Sequence, residues 1–416
     1  MNRTCMLFLL PFLAPSGLAD AALFYNLGDL AGGDFHSEAN AISADGSTVV
    51  GFSKVSFTEG LTSYNNVDQA FRWSLGTGMI AMGDLSGGTF TSRANGVSGD
   101  GSVIVGNGNS ASGQEAFRWT AGSGMTGIGD LTGGAFFSQA NDVSADGNRI
   151  VGASESGNGL EAFEYTGGSG MLGIGDLPGD TFRSTATAIS DNGAVIVGRS
   201  DSALSTTPSV DISFDEAFRF PVVSGSLTGL GVLDTNDYFC GFDCTGSAAT
   251  AVSADGSIVV GWSTDDVLPF LPFRWSAADG MTPLTTLYPQ AVPLDITADG
   301  SVVVGTYNNS EAYMIGPFGG GDVPSAFIWT EADDAIDFQE YLLNEFGLDL
   351  PGWDLQAATG VSADGTVITG YGINPDGNRE AWVVDLTAVP EPGALSLIAL
   401  GGLSTLLPRG RRFFSA

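Results

Sequence analysis

The chain predicts an all-β fold assembled from repeated units, on three observations. A turn of the type S-A-D-G-S-x-V-V-G recurs seven times. Each copy is followed by a segment of the type E-A-F-R-W, and the short β-type runs between them are bounded by Gly, Asp and Ser. The turns centre on Asp45-Gly46, Asp100-Gly101, Asp146-Gly147, Asn192-Gly193, Asp255-Gly256, Asp299-Gly300 and Asp364-Gly365, with spacings of 55, 46, 46, 63, 44 and 65 residues. A period in this range describes a stack or ring of small β units, not one enzyme-like core.

The chain opens with Arg3, the apolar run Met6 to Leu13, and the small-residue pattern Ala19-Asp20-Ala21. That order reads as a secretory signal peptide over residues 1–21, cut after Ala21, so the mature protein leaves the cytoplasm.

Residues 22–388 carry the repeats. The copy Ala94 to Leu131 contains A-N-G-V-S, S-V-I-V-G, E-A-F-R-W and M-T-G-I-G-D-L, which gives four strands per unit. The Asp-Gly or Asn-Gly pair supplies the positive backbone angles of a tight hairpin. Four short antiparallel strands per repeat make one blade of a β-propeller, and seven repeats make seven blades. The segment A-L-F-Y-N-L-G-D-L at residues 22–30 matches a last strand, whereas the final repeat stops after E-A-W-V-V at residues 380–384. Leu23 to Leu30 is therefore predicted to complete the last blade, closing the ring with the N- and C-terminal strands in one sheet. An open solenoid would carry capping repeats instead.

Phe71, Phe117, Phe163, Phe218, Phe273, Phe327 and Trp382 occupy equivalent places, most of them followed two residues later by a second aromatic on the same face. This stripe reads as the core between blades, with a sugar-binding surface as the competing reading. Arg72, Arg118, Arg219 and Arg274 lie between the paired aromatics and point the other way, to stack on neighbours or pair with acids.

The repeat, with its leading L-G-D-L, its S-A-D-G-x-x-V-V-G turn and its trailing x-A-F-x-W, is similar to the extracellular repeats of the HAF family, named after His-Ala-Phe. The resemblance runs from about Leu23 to Asp385. It implies an extracellular repeat fold with no reaction attached. Gln69, Glu115, Glu161, Glu216 and Glu380 stand where that family often has His, so no role of that histidine transfers.

Residues 389–416 form a distinct tail. Val389, Pro390, Glu391 and Pro392 precede the apolar run Ala394 to Leu407 and the basic residues Arg409, Arg411 and Arg412. This order resembles the PEP-CTERM sorting signal of Gram-negative bacteria. The resemblance implies transient anchoring in the inner membrane, cleavage by an exosortase near Pro-Glu-Pro, and delivery to the cell envelope, surface or medium. The short apolar run fits a temporary anchor.

Composition bounds the partners. The net charge of −33 becomes −36 once the tail arginines are removed, and a body this acidic repels nucleic acid and anionic headgroups. The charge reads either as solubility alone or as affinity for divalent cations and cation-bridged polymers. Cys240 and Cys244, within Y-F-C-G-F-D-C-T, are expected to close a local disulfide.

Catalytic machinery is sparse. The one histidine, His36, aligns with Thr91, Phe137 and Arg183 and reads as a solvent-facing loop position, which leaves no triad. Gly319-Gly320-Gly321 and the L-x-G-G turns lie between strands, not ahead of a helix as a phosphate loop requires. Turn and L-G-D-L aspartates have architectural explanations, so an active site should break the repeat symmetry. The breaks are Ser53 to Asp68, Ala203 to Asp215, Asn236 to Ser247, Ser263 to Pro272, Asn308 to Pro324 and Asp333 to Trp353. The stretch Asp333 to Phe346 has helical spacing. Asp265, Asp266, Asp333, Asp334 and Asp337 are the calcium or catalytic candidates, against a reading as solvated charge, and no other cofactor is expected. Two functions follow as expectations. The first is a non-catalytic surface or matrix propeller that contacts exopolysaccharide, divalent cations or another surface protein. The second is an extracellular carbohydrate-active hydrolase or lyase with carboxylates in its irregular loops.

Overall fold

A computed structural model describes residues 22–387, apart from 61, 180, 204–214, 234–245, 265–270, 286, 289 and 309–323. The described residues form seven four-stranded antiparallel sheets, so the chain is a seven-bladed β-propeller. The inner strands are Ser37–Ile42, Gly87–Val97, Gly133–Val143, Ser184–Ile189, Gly246–Val252, Ala291–Ile296 and Asp354–Val361, and they number blades 1 to 7. The expected signal peptide, Cys240 and Cys244, Asp265 and Asp266, and the tail that resembles a sorting signal lie outside the described residues. Among the described residues no helix is long and apolar enough to cross a membrane.

Each repeat builds its blade by the same contacts. In the first copy Asp45 accepts hydrogen bonds from the Ser43 hydroxyl at 2.6 Å and the Ser47 amide at 2.9 Å, while Gly46 takes φ +72°. The carboxylate caps the turn and glycine supplies the left-handed residue. Asn192 does the same in blade 4, which is why the amide is tolerated there. The glycine ending V-V-G is fixed by packing. At Gly198 an added Cβ would sit 2.9 Å from the Phe218 ring and collide with the Thr185 carbonyl. Phe218 and its equivalents, Trp382 included, are completely buried, so the aromatic stripe is the core between blades. Blade 1 contributes Val50 and Ala70 to one such cluster, and blade 2 contributes Ala94, Val97, Ile104 and Phe117.

Polar residues of the repeat stitch the blades together. Ser92, Ser138, Ser184 and Ser247 each accept the amide of the Ala in the preceding blade's third strand and donate to a glycine carbonyl of the same blade at 2.6 Å. Glu115, Glu161 and Glu216 accept the amides of Gly129, Gly175 and Gly231. These glutamates, standing where the resembled family has His, therefore hold the L-G-D-L turn.

The ends close as expected. Leu23–Asn26 pairs antiparallel with Arg379–Asp385, in register Leu23↔Asp385 to Asn26↔Trp382. The side-chain staples recur across the seam, with Ser37 accepting the Ala381 amide and donating to the Gly28 carbonyl. A belt of backbone hydrogen bonds also runs once around the axis. It passes from Asp45 to Gly99, Gly99 to Ala145, Ala145 to Asp191, Asn192 to Ala254, Ala254 to Ala298, Ala298 to Ala363 and Ala363 back to Ala44.

One local expectation needs correction. Helical spacing does not begin at Asp333, because Asp334–Asp337 is the fourth strand of blade 6 and the helix is Phe338–Phe346. Asp337 caps that helix by accepting the Glu340 amide at 3.0 Å, and Gly347 ends it at φ 65°. Phe338 and Leu342 are fully buried beside Trp382 while Glu340, Leu343, Asn344 and Glu345 stay exposed, so the helix lies on the surface with one face packed against blades 6 and 7.

Alternating strand direction gives the ring two unlike ends. One carries the seven Asp-Gly or Asn-Gly turns and the links between third and fourth strands. At the other, second strands turn into third strands and blades cross to their neighbours. The strand ends that bracket 204–214, 234–245, 265–270 and 309–323 all lie there, as the pairs Asp201↔Asp215, Gly246↔Thr264, Ser263↔Leu271 and Asn308↔Pro324 establish. The blade 1 break is there too, as a hairpin that continues the sheet from Lys54↔Asp68 to Glu59↔Thr62. Both termini of the ring leave from the turn end, beside the Leu23↔Asp385 pair.

Candidate functional site

The acidic candidates in the described residues are spread along one strand. Asp333 ends the turn before the strand and accepts the Thr330 hydroxyl at 3.1 Å, and Asp334 opens the strand and accepts the Ala335 amide at 2.8 Å. Asp337 lies at the opposite end of the strand and, besides capping the helix, accepts the Tyr307 hydroxyl at 2.9 Å. Burial and the facing Asp337 carboxylate push the Tyr307 hydroxyl above the usual tyrosine range. Among the described residues no group of three His, Cys, Asp or Glu side chains stands close enough to hold a metal ion.

His36 is not the free loop position its alignment implies. Its side chain is 27% exposed and its Nε2 lies 3.2 Å from Glu38, which also takes the Arg379 guanidinium at 2.8 Å. Two of the repeated arginines stack between blades, Arg72 over Trp119 and Arg219 over Trp275. At the insertion end Lys54 and Arg93 converge on Asp68, and Arg183 and Arg199 on Asp215. Burial raises the Asp68 carboxyl, but the two cations outweigh it and hold it below its ordinary value.

Sequence reading missed the axial channel, a cavity of about 170 Å³. Its wall carries Asp142, Asp191 and Asp295, and no Lys, Arg or His lines it. Asp142 Oδ1 accepts the Val143 amide and its Oδ2 the Ile189 amide of blade 4 at 2.8 Å. Asp295 repeats this with Ile296 and with Val361 of blade 7. Burial drives both carboxyls up to about 7, against the backbone hydrogen bonds, and nearby carboxylates add to the rise. Asp191 is raised by burial alone. The signal was present in the repeat alignment, where Ala or Gly occupies the Asp142 and Asp295 positions in the other blades. The channel is smaller than the roughly 300 Å³ at which ligand clefts begin. With one oxygen of each carboxyl bonded within its own strand and the other across a blade junction, Asp142 and Asp295 act as struts.

A larger opening lies at the insertion end. A groove of about 630 Å³ runs between the blade 1 hairpin and the Asn109–Gly113 turn of blade 2. Tyr64 forms one wall, its ring 4.9 Å from Phe57 and 5.5 Å from Phe90.

No family model and no curated protein matches the chain. Among solved structures, it is similar to the β-propeller domain of the Trilobed protease from Pyrococcus furiosus, which has an open velcro topology. That match has a TM-score of 0.52 at 11% identity and covers 86% of this chain and 97% of that one. TolB from Acinetobacter baumannii matches at a TM-score of 0.43 and 11% identity over 70% of this chain. This chain spans 63% of that TolB's length. An oligogalacturonate lyase from Vibrio parahaemolyticus matches at 0.37 and 11% over 82% and 98% of the two chains. Identities this low carry the fold alone.

Proposed function

We propose that the protein is an exported, non-catalytic propeller of a bacterial cell surface or extracellular matrix, using its insertion end to contact exopolysaccharide, divalent cations or other surface proteins. In this reading residues 1–21 direct export, and an exosortase processes the chain after the tail has anchored it in the inner membrane. The observation that carries the reading is the division of labour between the ends. The repeated Ser, Glu, Asp and Asn side chains are consumed by turns and blade junctions, while the strand ends that bracket five of the six symmetry-breaking segments lie at the end remote from both Leu23 and Asp385. A tail held in a membrane beyond Thr387 would place the turn end toward the bilayer and the insertion end outward. Loops presented by a rigid scaffold are where binding groups concentrate.

Calorimetry of the segment 22–388 with polysaccharide from the source organism, with calcium and with chelator, tests this while product release is monitored. Binding without turnover supports the proposal. Release of shortened sugars would replace it with the hydrolase or lyase reading.

A further inference from the structure

The groove at the insertion end has a lining unlike the rest of the molecule. The chain carries a net charge of −33, yet none of the groove's lining residues is charged. Tyr64, Thr62, Thr89, Asn109 and Ser112 supply the side chains, and glycines supply much of the remaining surface. Among the described residues, the side chains of Thr62, Thr89, Asn109 and Ser112 have no hydrogen-bond partner. The volume of about 630 Å³ falls inside the ~300–1,000 Å³ range of ligand clefts.

Its shape is built in. The hairpin strands Val49–Glu59 and Thr62–Ser74 stay paired out to Glu59↔Thr62, so the wall is sheet and not loose loop. Phe57 and Phe90, 4.7 Å apart, both pack against the Tyr64 ring and hold its orientation. On the facing side Gly88, in the inner strand of blade 2, lies so close to the second strand that a Cβ would come 2.5 Å from the Asn109 carbonyl, which keeps that surface flat.

We propose that this groove binds an uncharged sugar chain, with Tyr64 as its stacking platform and Thr62, Thr89, Asn109 and Ser112 as its hydrogen-bonding groups. The proposal deepens the surface-binding reading above and rests on it. A partly exposed aromatic ring offers an apolar face to the C–H side of a pyranose, with polar atoms at its edge. Hydroxyl and amide groups both donate and accept, as sugar hydroxyls require. An anionic polymer finds no cation in the groove and meets the repulsion of a strongly acidic body. A metal ion finds no carboxylate there.

The segment 22–388 contains every strand of the closed ring and suits affinity electrophoresis and calorimetry. The probes are dextran and a mixed-linkage β-glucan as neutral chains, with alginate and polygalacturonate, with and without calcium, as anionic ones. The expected result is binding of a neutral glycan that weakens by about tenfold, or 1.4 kcal/mol, in both Tyr64→Ala and Ser112→Trp. Ser112 is exposed at a turn, so Ser112→Trp fills the groove while leaving the melting temperature unchanged, which separates loss of site from loss of fold. Neutral-glycan binding that ignores both variants overturns the proposal. Binding of calcium-bridged anionic polymer alone also overturns it but leaves the surface-binding reading standing. No binding to any polysaccharide removes the sugar groove and the polysaccharide reading together.

Discussion

Glu380 Oε1 accepts the Gly28 amide at 2.9 Å, joining residues 352 positions apart in the chain. The same contact made by Glu115, Glu161 and Glu216 spans only 14 or 15 residues. A local latch in three blades thus becomes the clasp of the ring in the seventh. Glu380 is 3% exposed, and its second oxygen accepts the Asn374 side-chain amide at 2.8 Å.

Glu380→Ala should therefore lower stability by about 1–3 kcal/mol, the usual result of stranding buried hydrogen-bonding groups. Glu161→Ala should cost less, because its strand remains tethered by short sequence separation. Urea denaturation of both variants checks this. Equal midpoints would argue against a special role for the seam.

Replacing Gly198 by alanine should be among the most damaging small changes in the ring. The new methyl would meet the Thr185 carbonyl and the Phe218 ring with no room to relax. Phe218→Ala should cost roughly 3–5 kcal/mol through the cavity it leaves. Thermal melting and soluble yield report both, and a Gly198→Ala protein with native Tm would refute the close-approach argument.

Stability should peak in mildly acidic solution. Asp142 and Asp295 have folded-state pKa values raised from 3.8 to about 7, so their protons are held more tightly in the native state. Their influence therefore stabilises the fold as pH falls from 7 toward 4. The turn aspartates act oppositely. Hydrogen bonds from Ser102 and Ser98 hold Asp100 down at about 2, so its contribution is present above pH 4 and lost as pH falls toward 2. Melting temperatures from pH 2 to 9 should rise and then decline, and a monotonic increase to pH 9 would contradict the channel assignment.

The channel part of that curve can be isolated. In Asp142→Ala/Asp295→Ala the decline between about pH 4 and pH 7 should flatten, while the acid limb below pH 4 is unchanged. The double variant should also be less stable at pH 5, since the Ile189 and Val361 amides lose the carboxylates that bridge to them from the preceding blade. An unaltered slope would place the titrating groups elsewhere.

Outward presentation of the insertion end can be read on spheroplasts, where the outer face of the inner membrane is open to reagent. Ser112→Cys lies in the groove-side turn and Ser47→Cys in a turn of the opposite end, both at exposed positions. A bulky maleimide should label Ser112→Cys several-fold faster while the tail still holds the chain. Equal labelling would remove the proposed orientation.

The repeat made much of this architecture legible without a structure. Asp-Gly or Asn-Gly pairs, V-V-G glycines and the Phe71-to-Trp382 series each state a local requirement seven times, so blade number and strand order could be counted. The displaced L-G-D-L at Leu27 to Leu30 even exposed the closure, because a strand missing at one end stands at the other. The helix boundary was misread because the apolar spacing of Ile336, Tyr341, Leu342 and Phe346 runs through a strand and a helix in succession, and only the Asp337 cap divides them.

Sequence by itself determined the blades, since each is held by contacts within about fifty residues and repeated periodicity reports such contacts directly. Only the tertiary structure decided which residues from different blades share a space. Asp142, Asp191 and Asp295 meet because inner strands surround one axis, and Tyr64 and Ser112 face one groove because antiparallel alternation puts both hairpin tips at the same end. Those meetings depend on the curvature that closes seven twisted sheets into a ring, a property of their packing that no single repeat contains.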